Sequence, residues 1–554
     1  MSESVGIESK AAIKTGAAAL DELFQPVNRS DAPGLVVGIA RHGKIVYRRG
    51  FGLASVELGV ANTPTTRMRI GSTSKHFACL AALLLAEEGK LDLDADTRLY
   101  LPELPASSSK TTLRQFMTHT GGYRCYIDVG FLSDGMAIKP KGAALAAQVR
   151  QSDCNFAPGD KMMYNNGGYH MLSLVIERVS GLPFEQFLKD RIFTPLGMPD
   201  TASVPSDFEI HRGVATLHVP LPDGSYRRGV FPTEELLGEG AMISTVDDML
   251  RWLAHLRGPK QVGSEHSWAQ MLSCTRLNSG LVNPYALGLM RHLYRGVEVI
   301  HHAGNVIGGS SQMLTVPAHA LDIIIIANGA AASPVELANQ VIDTLLGDDI
   351  LSPPQNRADS ERFKSLLGKR YYSPSSGFLV HFADVKGKLG LSLLDGLPVP
   401  LRDEGDTLRL GFEDVAAGPF VLNTAKLAAD GCAPETLEIS ESGQAESFQL
   451  LPETPPAPAD AGLVLAGRYR APDLDAEARI LFDGESLKLQ VSGAFATNLL
   501  TLEAFSADVF GFQIDGTHPP LRGVLNVERT DGRLTALRLN TPRTRRMLLE
   551  RLGD

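Results

Sequence analysis

Apolar residues in this chain gather into short runs set apart by turn residues. Gly34–Gly52 holds two such runs around Arg41-His42-Gly43-Lys44 and predicts two strands joined by a turn. Ser311–Val316 and Leu321–Ala327 predict a second pair around Pro317-Ala318-His319-Ala320. Ser333 followed by Pro334 supplies an N-cap and a first-turn proline, and the helix they start runs to Leu346 and stops at Gly347. From Ile70 to Glu88 the chain is apolar nearly all round, with Gly89 placed as a C-cap, which predicts a buried helix. Strands near both ends of this first block, with helix-rich sequence between, predict an α+β domain whose sheet is built from both ends.

Two Pro-rich breaks, Asp348–Ser360 and Pro452–Ala461, read as linkers. They predict a domain over residues 1–350 and smaller ones over 358–452 and 462–554. The smaller blocks alternate short strands with frequent turns, the pattern of antiparallel β-barrels or sandwiches. They also parallel each other. Leu366-Leu367-Gly368-Lys369-Arg370-Tyr371 matches Leu465-Ala466-Gly467-Arg468-Tyr469, and the turns at Lys386-Gly387-Lys388 and Asp483-Gly484-Glu485 follow at similar spacing. A duplicated β module accounts for this; chance likeness of two β-rich segments is the plainer alternative.

The 554 residues carry 53 Lys and Arg against 63 Asp and Glu, a formal charge of −10. That argues against nucleic acid and anionic membrane as partners. The five cysteines, at 79, 125, 154, 274 and 432, form no C-x-x-C, so neither a zinc site nor a disulfide framework is expected. No run of 18 apolar residues occurs and the first residues lack a signal-peptide core, so a cytoplasmic protein is expected. With no phosphate-binding Gly-rich loop, H-E-x-x-H or Cys/His cluster, no metal and no organic cofactor are expected. Arg543, Arg545, Arg546 and Arg551 read as a solvated face of the last strand.

The candidate chemistry begins at Ser72. It opens the apolar helix, and Lys75 follows one turn later on the same face. A serine hydroxyl is a poor nucleophile until a neighbouring base takes its proton, and a buried lysine of lowered pKa is such a base. An S-x-x-K alone is weak evidence: Ser107–Lys110 is a second one, without an apolar helix, and reads as a loop. Two further elements strengthen the first. Tyr164-Asn165-Asn166 forms a Y-x-N, and His302-Ala303-Gly304 forms an H-x-G ahead of the second strand pair.

In this order the motifs resemble those of the penicillin-recognising serine hydrolases, the class C β-lactamase, DD-peptidase and esterase group. Met117–Gly122, Leu196–Thr201 and Gly240–Asp248 support the likeness, which spans residues from about 30 to 346. The resemblance implies an α+β, β-lactamase/DD-peptidase-like catalytic domain followed by two antiparallel β-barrels. It implies Ser72 as nucleophile, with Lys75 and Tyr164 sharing the proton work; which is the base stays open, because a coupled pair titrates as a unit. Asn166 would contact the substrate amide. The backbone N–H groups of Ser72 and of Asn305, after Gly304, would form the oxyanion hole. His302 would line the opposite wall and orient Tyr164 or the substrate; a structural histidine is the alternative.

Where β-lactamases of the group usually carry Lys-Thr-Gly, this chain has His302-Ala303-Gly304. A neutral imidazole draws a substrate carboxylate less and repels a substrate ammonium less. With two barrels after the catalytic domain, the plan resembles the bacterial D-stereospecific aminopeptidases. That implies release of N-terminal D-residues from peptides, amides and esters carrying a free amine, a homodimer, and a loop of the last domain offering a carboxylate to the ammonium. Asp515, in Phe512–Pro520, is the expected carboxylate, with Asp508 and Asp483 as alternatives. An esterase or DD-peptidase-like hydrolase of the same fold is the competing enzyme, and a non-catalytic β-lactamase-like binding protein the competing class; the intact motif set weighs against the latter.

Overall fold

The computed structural model describes residues 16–105, 110–415, 417–424, 432–517 and 519–552. Ser107, the serine of the second S-x-x-K, and His518 of the expected ammonium-binding loop lie outside them. The chain forms two compact units. One runs to Asp94 and adds Tyr169–Cys274 and Pro284–Pro354; the other holds Ala95–Gly168, Thr275–Asn283 and the chain from Gln355 onward.

The first unit is built on a six-stranded antiparallel sheet. Its strands are β1 (Leu35–Arg41), β2 (Lys44–Phe51), β3 (Met290–Tyr294), β4 (Val297–Val306), β5 (Gly309–Val316) and β6 (Leu321–Ala327), in spatial order β3-β4-β5-β6-β1-β2. Both predicted hairpins are present, and β1 joins β6 in register from Leu35↔Ala327 to Arg41↔Leu321, so the sheet does draw on both ends of the block. Every residue of β6 is buried, as an apolar run covered on both faces requires, and the one charge in it, Asp322, pairs with Arg257 at 2.9 Å and accepts from Thr315. One face packs Leu20 and Phe24 of the helix over 16–24, and Leu337 and Val341 of the helix Pro334–Leu346, against Leu35, Val37, Ile323 and Ile325. Ser333 caps that last helix by accepting from the Glu336 amide. The helix Val246–Arg257 lies against the other face. It approaches closely at Gly38, where a methyl group would stand 3.0 Å from the Val246 side chain and 3.1 Å from Leu250.

In the second unit, the strands from Arg370 to Leu450 form a nine-stranded sheet and those from Gly467 to Arg551 a closed eight-stranded barrel. The nine strands are an eight-stranded meander with one strand broken. Val399–Pro400 ends one edge and Arg402–Asp403 begins the other, with only Leu401 between them. Prolines at 398 and 400 withhold the amides a continuous strand would donate. The chain at Arg357–Asp359 spans the gap, bridging Arg402 on one side and Lys388 on the other. In both modules the first strand pairs with the last, through Tyr371↔Leu450 and Tyr469↔Arg551. The two tyrosines matched in the sequence therefore hold equivalent places, and both are fully buried. The second break is not all linker, since Pro458–Leu465 is a helix.

The closed barrel is fastened to the helix Tyr126–Asp134 and its neighbours. Asp134 accepts from the amides of Phe495 and Ala496, and Arg124 pairs with Asp473 at 2.6 Å, both side chains buried. Arg543, in the last hairpin, binds the fully buried Asp128 at 2.7 Å. Arg545 is buried too, with its guanidinium 4.3 Å from the centre of the Phe378 ring. These two arginines correct the solvated-face reading: a buried carboxylate holds Arg543, leaving it partly exposed, and burial against an aromatic ring takes Arg545 out of water, which no local pattern announces. Among the described residues no helix is long and apolar enough to cross a membrane.

Candidate active site

In the first unit Ser72 stands in a 3₁₀ turn, Gly71–Ser74, that runs straight into the helix Lys75–Glu87. The tight turn follows from Ser74, whose hydroxyl donates to the Gly71 carbonyl at 2.6 Å, three residues back. Strands β4 and β5 pin the turn. Thr73 donates to the His302 carbonyl at 3.1 Å, and Ser311 donates to the Ile70 carbonyl at 2.8 Å. Gly304 is indispensable to this approach: a Cβ there would meet the Ile70 carbonyl at 1.9 Å. Gly71 has φ +53°, and a Cβ on it would lie 2.8 Å from the Asn305 nitrogen, so the Asn305 backbone sits against the Ser72 turn.

Lys75 is fully buried, and its Nζ lies 3.0 Å from Ser72 Oγ. The same Nζ donates to the Glu239 carbonyl at 2.6 Å and stands 5.3 Å from the centre of the Tyr169 ring. An amine held between a carbonyl, a ring face and a partly exposed serine hydroxyl is arranged to exchange a proton with that hydroxyl.

His302 is buried on β4. Its Nδ1 lies 2.5 Å from the Ala303 carbonyl, which can only accept, so Nδ1 carries the proton. Nε2 then accepts from the Tyr285 hydroxyl at 2.8 Å. Burial, followed by the Lys75 charge, pushes His302 well below the ordinary histidine range, so the ring is neutral near pH 7. Tyr285 bonds in turn to Tyr169, whose hydroxyl meets Cys79 Sγ at 3.4 Å. The buried chain Cys79–Tyr169–Tyr285–His302 was not found from the sequence. Its members are 90, 116 and 17 residues apart along the chain, and none belongs to a motif except His302.

In the second unit the Tyr164 and His119 rings pack at a tilt of 39° with centres 4.2 Å apart. His119 Nδ1 accepts from the Asn165 amide at 3.0 Å, and its carbonyl accepts from the Met163 amide, so the Met117–Gly122 segment fixes the residues on either side of Tyr164. Asn166 is buried at the start of the helix Asn166–Ser180. Arg543 is close enough to Tyr164 to feel its charge. Arg543 is thus the residue of the last barrel that lies by Tyr164, unsignalled in the sequence.

The three carboxylates weighed for a substrate ammonium all sit in surface turns. Asp515 is exposed and accepts from Gln513 at 2.6 Å; Asp508 pairs with Arg529, and Asp483 with Lys488. Among the described residues no group of three or more His, Cys, Asp or Glu could hold a metal ion.

Comparison with known proteins agrees with this geometry. Residues 20–346, more than half of the chain, match the Beta-lactamase family. A D-aminopeptidase of Gluconobacter oxydans is 25% identical over 535 residues, 95% of this chain and 97% of the relative. A D-aminopeptidase of Brucella anthropi is 26% identical over 408 residues, 69% of this chain and 74% of the relative. The solved octameric penicillin-binding protein homologue of Pyrococcus abyssi shares the fold, with a TM-score of 0.54 at 22% identity over 78% of this chain and 98% of that one. The chain belongs to the beta-lactamase family and is a serine hydrolase of that family.

Proposed function

We propose that this enzyme is an aminopeptidase that releases N-terminal D-residues from small peptides, amides and esters. The observation that carries this reading is the match to the Gluconobacter oxydans D-aminopeptidase over 95% of the chain, both barrels included. The neutral His302 supports it, since a cation at the third motif would repel a substrate ammonium.

The reaction is read as acyl transfer. Ser72 Oγ attacks the carbonyl carbon while its proton passes to the Lys75 and Tyr164 pair. The developing oxyanion takes hydrogen bonds from the backbone N–H groups of Ser72 and Asn305. The C–N bond then breaks, the leaving amine takes the proton, and a D-aminoacyl ester remains on Ser72. Water, deprotonated by the same pair, attacks that ester and frees the D-amino acid. Asn166 is assigned to the substrate amide, and the closed fit around Gly304 keeps Asn305 in place.

Purified enzyme should hydrolyse D-alanine p-nitroanilide at least about 100-fold faster, in kcat/KM, than the L isomer, a difference of about 2.7 kcal/mol in transition-state binding. Equal turnover of both isomers, or activity confined to p-nitrophenyl esters, would show a non-stereospecific esterase instead. Asp515 is assigned to the ammonium on the family likeness. Asp515→Ala should raise KM about tenfold for substrates with a free amine and leave N-acetylated ones unchanged, a ratio of about 1.4 kcal/mol. An unaltered preference for the free amine would remove Asp515 from the site.

A further inference from the structure

Directly behind Lys75 lies a buried charge cluster that the acyl-transfer scheme does not use. His170, on the helix Asn166–Ser180, is fully buried, with Nδ1 2.9 Å from Glu239 Oε1 and Nε2 3.6 Å from Glu235 Oε2. Both carboxylates are buried, at 6% and 2% exposure for Glu235 and Glu239. Glu239 therefore has two ends in two sites: its side chain meets His170, and its backbone carbonyl accepts from Lys75 Nζ. The segment between the two glutamates is clamped as well. The Gly238 amide donates to Ser173, and a Cβ on Gly238 would meet Ser173 at 2.6 Å and Ala78 at 2.7 Å. Glu239 also folds back to accept from the Leu237 amide at 3.2 Å.

Two carboxylates out of water repel each other and need a cation between them. An imidazolium facing one with each nitrogen answers that need, and the cluster then carries a net charge of −1 beside the Lys75 amine. We propose that His170, as the cation between Glu235 and Glu239, is a positioning residue that holds the Glu239 carbonyl on Lys75 and so keeps the Lys75 amine on Ser72. The inference rests on the reading of Lys75 as the group that exchanges a proton with Ser72.

Protonation follows the same geometry. Burial works against the charge, but attraction to Glu239 and Glu235 and the hydrogen bond to Glu239 outweigh it and carry His170 up to about 9. The titratable groups facing the ring are Glu235 and Glu239; Lys75 lies beyond them, on the far side of the Glu239 carbonyl. The folded value lies above the value of about 6.5 for an unfolded histidine. The stability His170 contributes is thus complete below about pH 6.5 and is lost as pH rises through about 9.

The test is a charge-balance cycle in the full-length enzyme. His170→Gln leaves both carboxylates without a cation. It should lower kcat at least about tenfold with KM within about twofold. The double variant H170Q/E239Q restores the net charge of −1 and can bond amide to amide, and kcat should recover to within about threefold of the parent. Melting temperature should fall between pH 6.5 and 9 in the parent and hold level in the double variant. A single variant with parental kcat overturns the proposal. So does a folded double variant that stays tenfold slow, which decides the matter alone if the single variant does not fold. Lys75→Met separates the two layers. If it keeps its turnover, the reading of Lys75 falls and this proposal with it; if it is inactive while His170→Gln is normal, only the proposal falls.

Discussion

Ser72→Ala should lose at least about 10⁴-fold in kcat while its melting temperature and substrate affinity stay near those of the parent. Removing a nucleophile abolishes the covalent route, and what remains is the slow attack of water helped by the surrounding donors. The fold has little stake in that oxygen. Ser72 is partly exposed, and the bonds that pin its turn come from Thr73, Ser74 and Ser311. Steady-state kinetics on the best D-substrate, with thermal unfolding of the same preparation, checks both halves. A variant that keeps substantial turnover would place the chemistry elsewhere.

Lys75→Met should be nearly as damaging to turnover and should raise stability. General-base assistance is worth about 10² to 10⁴-fold, so a loss of about 10³ is expected. Methionine fills much of the same volume and carries no charge, and a fully buried ammonium is costly to keep. The site therefore holds a group that folding alone would not select, and the melting temperature should rise as kcat falls. A variant both inactive and destabilised would mean that Lys75 serves the core. A variant with normal kcat would leave Ser72 without its base.

Some of this molecule is legible in its sequence because the relevant physics is local. The hairpin of β1 and β2 follows from two apolar runs around His42-Gly43, both of positive φ. The helix Pro334–Leu346 follows from its cap and first-turn proline. Ser72 and Lys75 are three residues apart, so one helical turn brings them together. Strands β3 and β4 were less visible, because His292, His301 and His302 interrupt their apolar alternation. The break at Leu401 needed the barrel to be seen before its prolines acquired meaning.

The rest depends on pairs that only folding assembles. Glu239 reaches His170 across 69 residues and Lys75 across 164, and Arg543 reaches Asp128 across 415. No spacing rule links such positions. A glutamate or arginine that will be buried looks in sequence like one that will face water, and only its partner's burial tells them apart. Tyr285 is legible for the same reason only afterwards, once His302 is seen to need a donor at Nε2.

The proposed reaction passes through a D-aminoacyl ester at Ser72, and that species can be weighed. Enzyme turning over D-alanine methyl ester would be quenched in acid, digested with trypsin and analysed by mass spectrometry. One alanyl group is expected on the peptide Ile70–Lys75, located at Ser72, absent with the L-ester and absent from Ser72→Ala. An actively turning-over enzyme with no adduct on that peptide, or with the alanyl group on another residue, would contradict the proposed reaction.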